Sequence, residues 1–152
     1  MLQHVVDPTG ALREMRRVSK GLAAATDADY RAMTWYLPNP VLDEWLGLHR
    51  ETHRRNGGEP DAGRRLLSWA QAAGFTDITS SASTWLYATP ETRRRWGHIW
   101  TDRIVHTAIA DQAVGYGRAT RADLTRISEG WRSWSEAPDG WFAILHGEVL
   151  CR

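Results

Sequence analysis

Cysteine is almost absent from this sequence of 152 residues, in which Cys151 is the one example. A fold held together by intrachain disulfides is therefore excluded. Long hydrophobic runs are absent too, and the longest, such as Trp141–Leu145, have the length of a strand rather than of a transmembrane helix. The residues Met1–His4 lack the charged start and apolar middle of a signal peptide. We therefore expect a cytoplasmic, reducing setting and no membrane partner.

An excess of one charge is also missing. Lys and Arg total 19, Asp and Glu total 18, and the formal net charge is +1. Dedicated nucleic-acid binders carry a clear basic excess, so we expect no nucleic-acid partner. The triplet Arg93-Arg94-Arg95 is isolated, and alone it is weak evidence for a phosphate partner.

Helix-start signals are plentiful by contrast. Asp7-Pro8, Asn39-Pro40 and Thr89-Pro90 each place a capping residue before a proline suited to the first turn of a helix. Two further helices are predicted to start at Asp61 and Thr120. The helix from Thr89 is predicted to continue to Gly115.

Strand-like segments alternate with these helices. Leu22–Thr26 is apolar on both faces, which is typical of a buried parallel strand. A long strand is predicted from Phe75 to about Ala88, and a closing strand over Trp141–Cys151, with a bulge at Gly147. Met1–Val6 has the pattern of the end of a strand. The order predicts a single α/β domain spanning residues 1–152.

A series of spaced segments resembles the later part of class I S-adenosylmethionine-dependent methyltransferases, in particular the ubiquinone/menaquinone-biosynthesis type found in bacteria. The similar segments are Leu2–Val18, Leu22–Thr26, Asp27–Tyr30 with Trp35, Gly74–Ile78 and Gly140–Phe142. The resemblance implies a partial Rossmann-like sheet made of the end of strand 4, strands 5 and 6 and an antiparallel strand 7, with inserted helices.

Two features depart from the family pattern. The glycine-rich turn and the acidic residue that hold S-adenosylmethionine in the family would precede Met1, and none of the 13 glycines forms a substitute motif. The turn before the fifth strand is shortened to Ser19-Lys20-Gly21. We therefore expect a truncated methyltransferase whose amino-terminal, cofactor-binding half is absent, and weak or no binding of S-adenosylmethionine.

The resemblance also indicates where a site would lie. In open α/β sheets ligands bind at the carboxyl ends of the strands, and polar residues follow two of these ends. His4 and Asp27 are the candidate catalytic residues, and Gln3 and His4 the candidate cofactor contacts. The candidate substrate contacts are Asp29, Tyr30, Trp35 and Tyr36, of which Trp35 and Tyr36 are predicted in a loop before Pro38.

Structural alternatives exist for each of these candidates. His4 could cap the following helix, Asp27 and Asp29 could simply end a strand, and Trp35 could cover a sheet edge. His49 and His53 lie four residues apart, but a solvated helix face explains them better than a metal site does, so no metal is predicted.

The predicted function is methyl transfer to a small organic acceptor, and we expect the isolated chain to be inactive. The alternative is a non-catalytic, aromatic-rich module for binding or oligomerisation, with a homodimer formed through an exposed sheet edge. The helical spacing of tryptophans favours core positions over a cofactor box: Trp96, Trp100, Trp131 and Trp134.

Overall fold

The computed structural model describes residues 1–152, which group into two compact units. The first unit comprises Met1–Met33, His53–Trp85 and Ile144–Arg152, and the second comprises Thr34–Thr52 and Leu86–Ala143. No helix combines the length and the apolar character needed to cross a membrane.

The chain is of the α/β class, with six α-helices and four strands. The helices are α1 Pro8–Val18, α2 Pro40–Arg55, α3 Leu66–Ala72, α4 Pro90–His106, α5 Ala108–Gly115 and α6 Arg121–Glu136. The strands are β1 Ala23–Ala28, β2 Thr34–Tyr36, β3 Ile78–Tyr87 and β4 Trp141–Cys151. Short 3-10 helices span Leu2–His4, Tyr30–Ala32 and Ala62–Arg65.

In the first unit, β1 pairs antiparallel with the second half of β4. Ala23 lies opposite Cys151 and Ala28 opposite His146. The pairing confirms the antiparallel closing strand. The core of this unit is formed by small and branched apolar side chains from the helices and both strands, including Leu2, Leu12, Ala23, Leu66, Ala70, Phe75 and Val149.

In the second unit, β2 pairs antiparallel with the start of β4. β3, most of which belongs to the first unit, also pairs with β4. Aromatic rings fill the core: the Trp45 ring lies edge-on to Trp100 and Trp131 at 4.5 and 4.7 Å between centroids. Trp100 and Trp131 are buried, as is Trp134, which confirms the core positions predicted for them, while Trp96 is half-buried. Burial of such large rings supplies much of the hydrophobic stabilisation of a unit of this size.

The helix starts are confirmed where the local signals were strong. The Asp7 carboxylate accepts a hydrogen bond from the Gly10 N–H at 2.7 Å and so caps α1. Thr120 and Asp123 form a reciprocal capping box at the start of α6.

The helix predicted from Thr89 to Gly115 is instead two helices. Thr107 has extended dihedral angles, φ −115° and ψ 174°, and therefore separates α4 from α5. Its hydroxyl donates to the Arg103 carbonyl at 2.9 Å, occupying an acceptor at the end of α4.

The strand end predicted over Met1–Val6 is wrong. Leu2–His4 form a 3-10 helix, in which the His4 N–H donates to the Met1 carbonyl and the Val5 N–H to the Leu2 carbonyl. This short helix satisfies backbone groups locally while Leu2 is buried in the core of the first unit.

Three strand predictions are also corrected. β1 reaches Ala28 and its one partner, β4, is antiparallel rather than parallel. Gly147 pairs in regular register with Asp27, so it forms no bulge against β1. Trp35 and Tyr36, predicted in a loop, belong to β2, because their backbone pairs with the start of β4.

Candidate functional site

Five of the predicted site residues lie in the first unit near the end of β1, namely Gln3, His4, Asp27, Asp29 and Tyr30. Gln3, His4 and Asp27 come together there with His53, and we call these four residues the His4 cluster. The Gln3 N–H donates to the Asp27 carboxylate at 3.3 Å. The Gln3 side-chain amide lies 3.1 Å from the His4 Nε2 atom. The 3-10 turn and the end of β1 thus bring residues 24 positions apart into direct contact.

The backbone of Gln3 holds the cluster against the end of α2. The Gln3 carbonyl accepts hydrogen bonds from the His53 Nε2 atom at 2.8 Å and from the Glu59 N–H at 2.9 Å. The neighbouring Gly58 has no room for a side chain, since a Cβ there would lie 2.5 Å from the His53 ring and 2.6 Å from the Gln3 carbonyl oxygen. Glycine at this position therefore permits the close approach that forms the site.

Three aromatic rings meet in this region. The His4 and His53 ring centroids are 4.8 Å apart with an interplanar angle of 35°. The Tyr30 ring lies edge-on to His53 at 6.2 Å, so the candidate substrate residue Tyr30 adjoins the cluster.

The environment of His4 favours its neutral form. Burial lowers the pKa of the His4 imidazole, and the neighbouring His53 and the amino terminus lower it further, while Asp27 opposes the shift. With Nε2 accepting from the Gln3 amide, the neutral ring carries its proton on Nδ1. A neutral imidazole with a basic nitrogen at the edge of a site is suited to accept a proton from a bound acceptor molecule.

The Asp27 carboxylate is fully engaged by its surroundings. Its side chain is 2% exposed, and it pairs with the amine of Met1 as well as with the Gln3 N–H. A buried carboxylate requires such partners, because an unpaired buried charge is strongly unfavourable. Asp27 therefore orders the turn that carries Gln3 and His4.

Asp29 forms the second charged contact of the region. Its carboxylate accepts two hydrogen bonds from the Arg64 guanidinium, at 2.5 and 2.9 Å. This bidentate hydrogen bonding raises the pKa of Arg64. The Asp29 backbone N–H donates to the Leu145 carbonyl at 2.9 Å. Asp29 is thus fixed on both its side chain and its backbone.

An open groove of about 240 Å³ adjoins this ion pair within the first unit. Asp29 and Arg64 line it together with apolar side chains, among them Leu67 and Leu145, which are 42% and 38% exposed. Glu148 lines the groove too and accepts hydrogen bonds from Ser81 and Ser83, which lower its pKa. A surface of this kind can hold a small, largely apolar molecule with a polar group at one end.

Two predicted substrate residues lie elsewhere. Trp35 and Tyr36 belong to the second unit, where the Trp35 ring stacks on Phe142 at 5.7 Å between centroids. The Tyr36 carbonyl accepts a hydrogen bond from the Trp134 indole N–H at 3.2 Å. Both residues therefore have structural contacts within that unit, as expected if Trp35 covers a sheet edge instead of contacting substrate.

Two residues of the region, His53 and Arg64, are not among the site residues predicted from the sequence. His53 was considered with His49 as a pair on a helix face, and its position at the end of α2 beside Gln3 is set by a contact across 50 residues. Arg64 gave no signal of its own, and only its position opposite Asp29, 35 residues earlier, distinguishes it from other arginines.

Comparison with known proteins gives one informative similarity. Over 155 aligned residues, covering 99% of this chain, the sequence is 31% identical to an uncharacterized methyltransferase of the fission yeast Schizosaccharomyces pombe. The chain spans about half of that relative, 54% of its length. No family model matches the sequence.

Proposed function

We propose that this chain is the acceptor-side portion of a class I, Rossmann-like methyltransferase that transfers a methyl group from S-adenosylmethionine to a small organic acceptor. The observation that carries the proposal is the 31% identity to a named methyltransferase along almost the whole chain. The antiparallel pairing of β4 with β1 agrees with the closing strand that the sequence resemblance implies.

The residues of the first unit suit the acceptor side of this reaction. Methyl transfer from a sulfonium requires an acceptor atom held in line with the methyl group, so positioning supplies much of the catalysis. The groove beside Asp29 and Arg64 would hold the acceptor. His4 does not line this groove, but it lies in the same unit. It would take up the proton from an acceptor that extends beyond the groove to the His4 cluster, in place of its contact with the Gln3 amide.

The same residues do not by themselves fit the cofactor. S-Adenosylmethionine presents an ammonium and ribose hydroxyls, which need acceptor groups. The carboxylates of Asp27 and Asp29 are already engaged by Gln3 and Arg64. The buried Oε1 atom of Gln3 is the acceptor in the cluster without a hydrogen-bond partner. We therefore derive no step through the cofactor and expect this chain alone to bind it weakly or not at all.

Two measurements test the proposal. Calorimetric titration of the chain with S-adenosylmethionine should give no tight binding, and micromolar affinity would overturn the expected lack of a complete cofactor site. In a chimera, this chain would replace the matching segment of the yeast relative, and both proteins would be tested for retention of S-adenosylmethionine. If the yeast protein binds S-adenosylmethionine and the folded chimera does not, the result would count against methyl transfer as a function that the two proteins share.

Catalysis by His4 is tested in a chimera that methylates an acceptor. We expect His4→Ala to lower the rate by about 100-fold, the usual contribution of a general base. The matched control is His106→Ala, since His106 is an exposed histidine in the last turn of α4. Equal rates for both variants would exclude His4 as the base.

Self-association through β1 is a second candidate function. β1 is the terminal strand of its sheet and pairs on one edge with β4. Its residues from Ala23 to Thr26 carry no charge or proline, the devices that usually protect an open edge. We propose that a second copy pairs there. Light scattering after size exclusion should then show a dimer that the exposed substitution Ala24→Lys weakens, and a monomer at high protein concentration would refute this candidate.

A further inference from the structure

An open groove of about 360 Å³ lies in the second unit between α4 and α6, and it has no part in the proposed methyl transfer. The lining residues recur every three or four positions on each helix, so they occupy one face of each. They are Arg94, His98, Thr101, Arg132, Ser135 and Glu136, and we call this site the α4–α6 groove.

The two helices approach each other closely beneath the groove. A Cβ atom at Gly97 would lie 2.4 Å from the Ser135 Cβ atom and 3.1 Å from the Trp131 carbonyl oxygen. The Ser128 hydroxyl also donates to the Thr101 carbonyl at 2.8 Å. Backbone and small side chains form the crossing, and Arg94 of α4 and Arg132 of α6 line the groove beside it, one from each helix.

The charges in the groove are not balanced. Neither Arg94 nor Arg132 has a carboxylate within 4.0 Å. Glu136 is the one carboxylate in the lining, and it forms no ion pair. Many other arginines of the chain do have a carboxylate partner, namely Arg17, Arg54, Arg64, Arg65, Arg118, Arg121, Arg126 and Arg152. The concave site therefore holds two uncompensated guanidinium groups against one carboxylate.

We propose that the α4–α6 groove binds a phosphate monoester, carried by a small metabolite or by a lipid headgroup. The groove offers one planar guanidinium group from each helix, and each such group can donate two parallel hydrogen bonds to the oxygens of a phosphate group. The His98 imidazole supplies a further donor from the α4 side. The Ser135 hydroxyl already donates to the Arg132 carbonyl at 2.8 Å, so the arginines and His98 are the donors available to the ligand.

The proposal is tested by titrating the full chain with inorganic phosphate and with glycerol 3-phosphate, using calorimetry and the NMR signals of the arginine side chains. We expect saturable binding that the double variant Arg94→Ala/Arg132→Ala weakens by about tenfold or more. The matched control is Arg13→Ala/Arg95→Ala, which removes the same charge from two exposed arginines outside the groove. Circular dichroism of each variant verifies that it is folded.

Further arms of the experiment identify the source of the phosphate group. Vesicles containing phosphatidic acid are compared with vesicles of phosphatidylcholine alone, beside the free phosphates. Loss of binding to the free phosphates or to phosphatidic acid in the Arg94→Ala/Arg132→Ala variant supports the site. The probe whose binding is lost shows whether the phosphate group comes from a small metabolite or from a lipid. Glu136→Gln should tighten binding, because it removes the one opposing charge. Absence of saturable binding to every probe, or equal loss in the control variant, would overturn the proposal.

Discussion

Replacement of Gly147 by alanine tests how the first unit is held together. Gly147 lies in β4 opposite Asp27, and a Cβ atom there would lie 2.0 Å from the carbonyl oxygen of Gly63 and 2.5 Å from its carbonyl carbon. Both atoms belong to the backbone of the 3-10 helix Ala62–Arg65, so no side-chain rotation can relieve the contact. The helix would have to retreat until the distance reached at least 3.0 Å, a shift of about 1 Å.

The cost of this shift has two parts. Forcing an extra methyl group into a packed site usually costs about 1–3 kcal/mol. The shift also moves Arg64 away from the buried carboxylate of Asp29, and loss of a buried charged hydrogen bond costs about 1–3 kcal/mol. We therefore expect Gly147→Ala to lower the free energy of unfolding by about 3–5 kcal/mol, at the upper end of what single substitutions do.

The assay is urea unfolding followed by far-UV circular dichroism, with Gly47→Ala as the matched control. Gly47 is exposed within α2, and a Cβ atom there would meet nothing within 4 Å. The same chemical change at Gly47 should therefore stabilise the protein by about 0.5–1 kcal/mol, because alanine favours the helix. A Gly147→Ala protein within about 0.5 kcal/mol of the parent would refute the reasoning from backbone contact.

Three further changes have defined outcomes. Asp29→Asn should lower the free energy of unfolding by about 1–3 kcal/mol in urea melts, since the ion pair with Arg64 is lost at a buried position; an unchanged midpoint would contradict this. Thr120→Ala should lower it by about 1 kcal/mol through loss of the α6 cap, measured in the same way with the neighbouring exposed Ala122→Ser as control. Burial lowers the pKa values of His4 and His146, so the unfolded chain binds more protons below the ordinary value of 6.5. Stability should therefore fall as the pH decreases from 6.5, and His146→Gln should reduce that slope in urea midpoints measured across this range.

The elements with strong local signals could be predicted from the sequence. Asp7-Pro8, Asn39-Pro40 and Thr89-Pro90 each begin a helix, because a capping side chain and a preset proline φ angle act within one turn. The closing strand Trp141–Cys151 was predicted with the bounds that the structure has. Its run of apolar residues after a Pro-Asp-Gly turn leaves few alternatives.

Features that depend on distant contacts could not be predicted in this way. The strand character of Trp35 comes from its pairing with Phe142, more than a hundred residues later. Gly147 has the pattern of a bulge in a strand, yet its actual role is to admit the backbone of Gly63. The candidate site shows the same limit. Gln3 and His4 were selected as the end of a strand but lie in a 3-10 helix, and His53 joins them and Asp27 only through tertiary folding.

The uneven distribution of indole rings makes the two units distinguishable by spectroscopy. Seven of the nine tryptophans belong to the second unit, and the first contains only Trp69 and Trp85. Trp85 is 56% exposed, whereas Trp45 and Trp131 are fully buried. Blue-shifted tryptophan fluorescence is therefore an optical signal of the second unit. Its loss during denaturation reports the unfolding of that unit, whereas far-UV circular dichroism reports the unfolding of the whole chain.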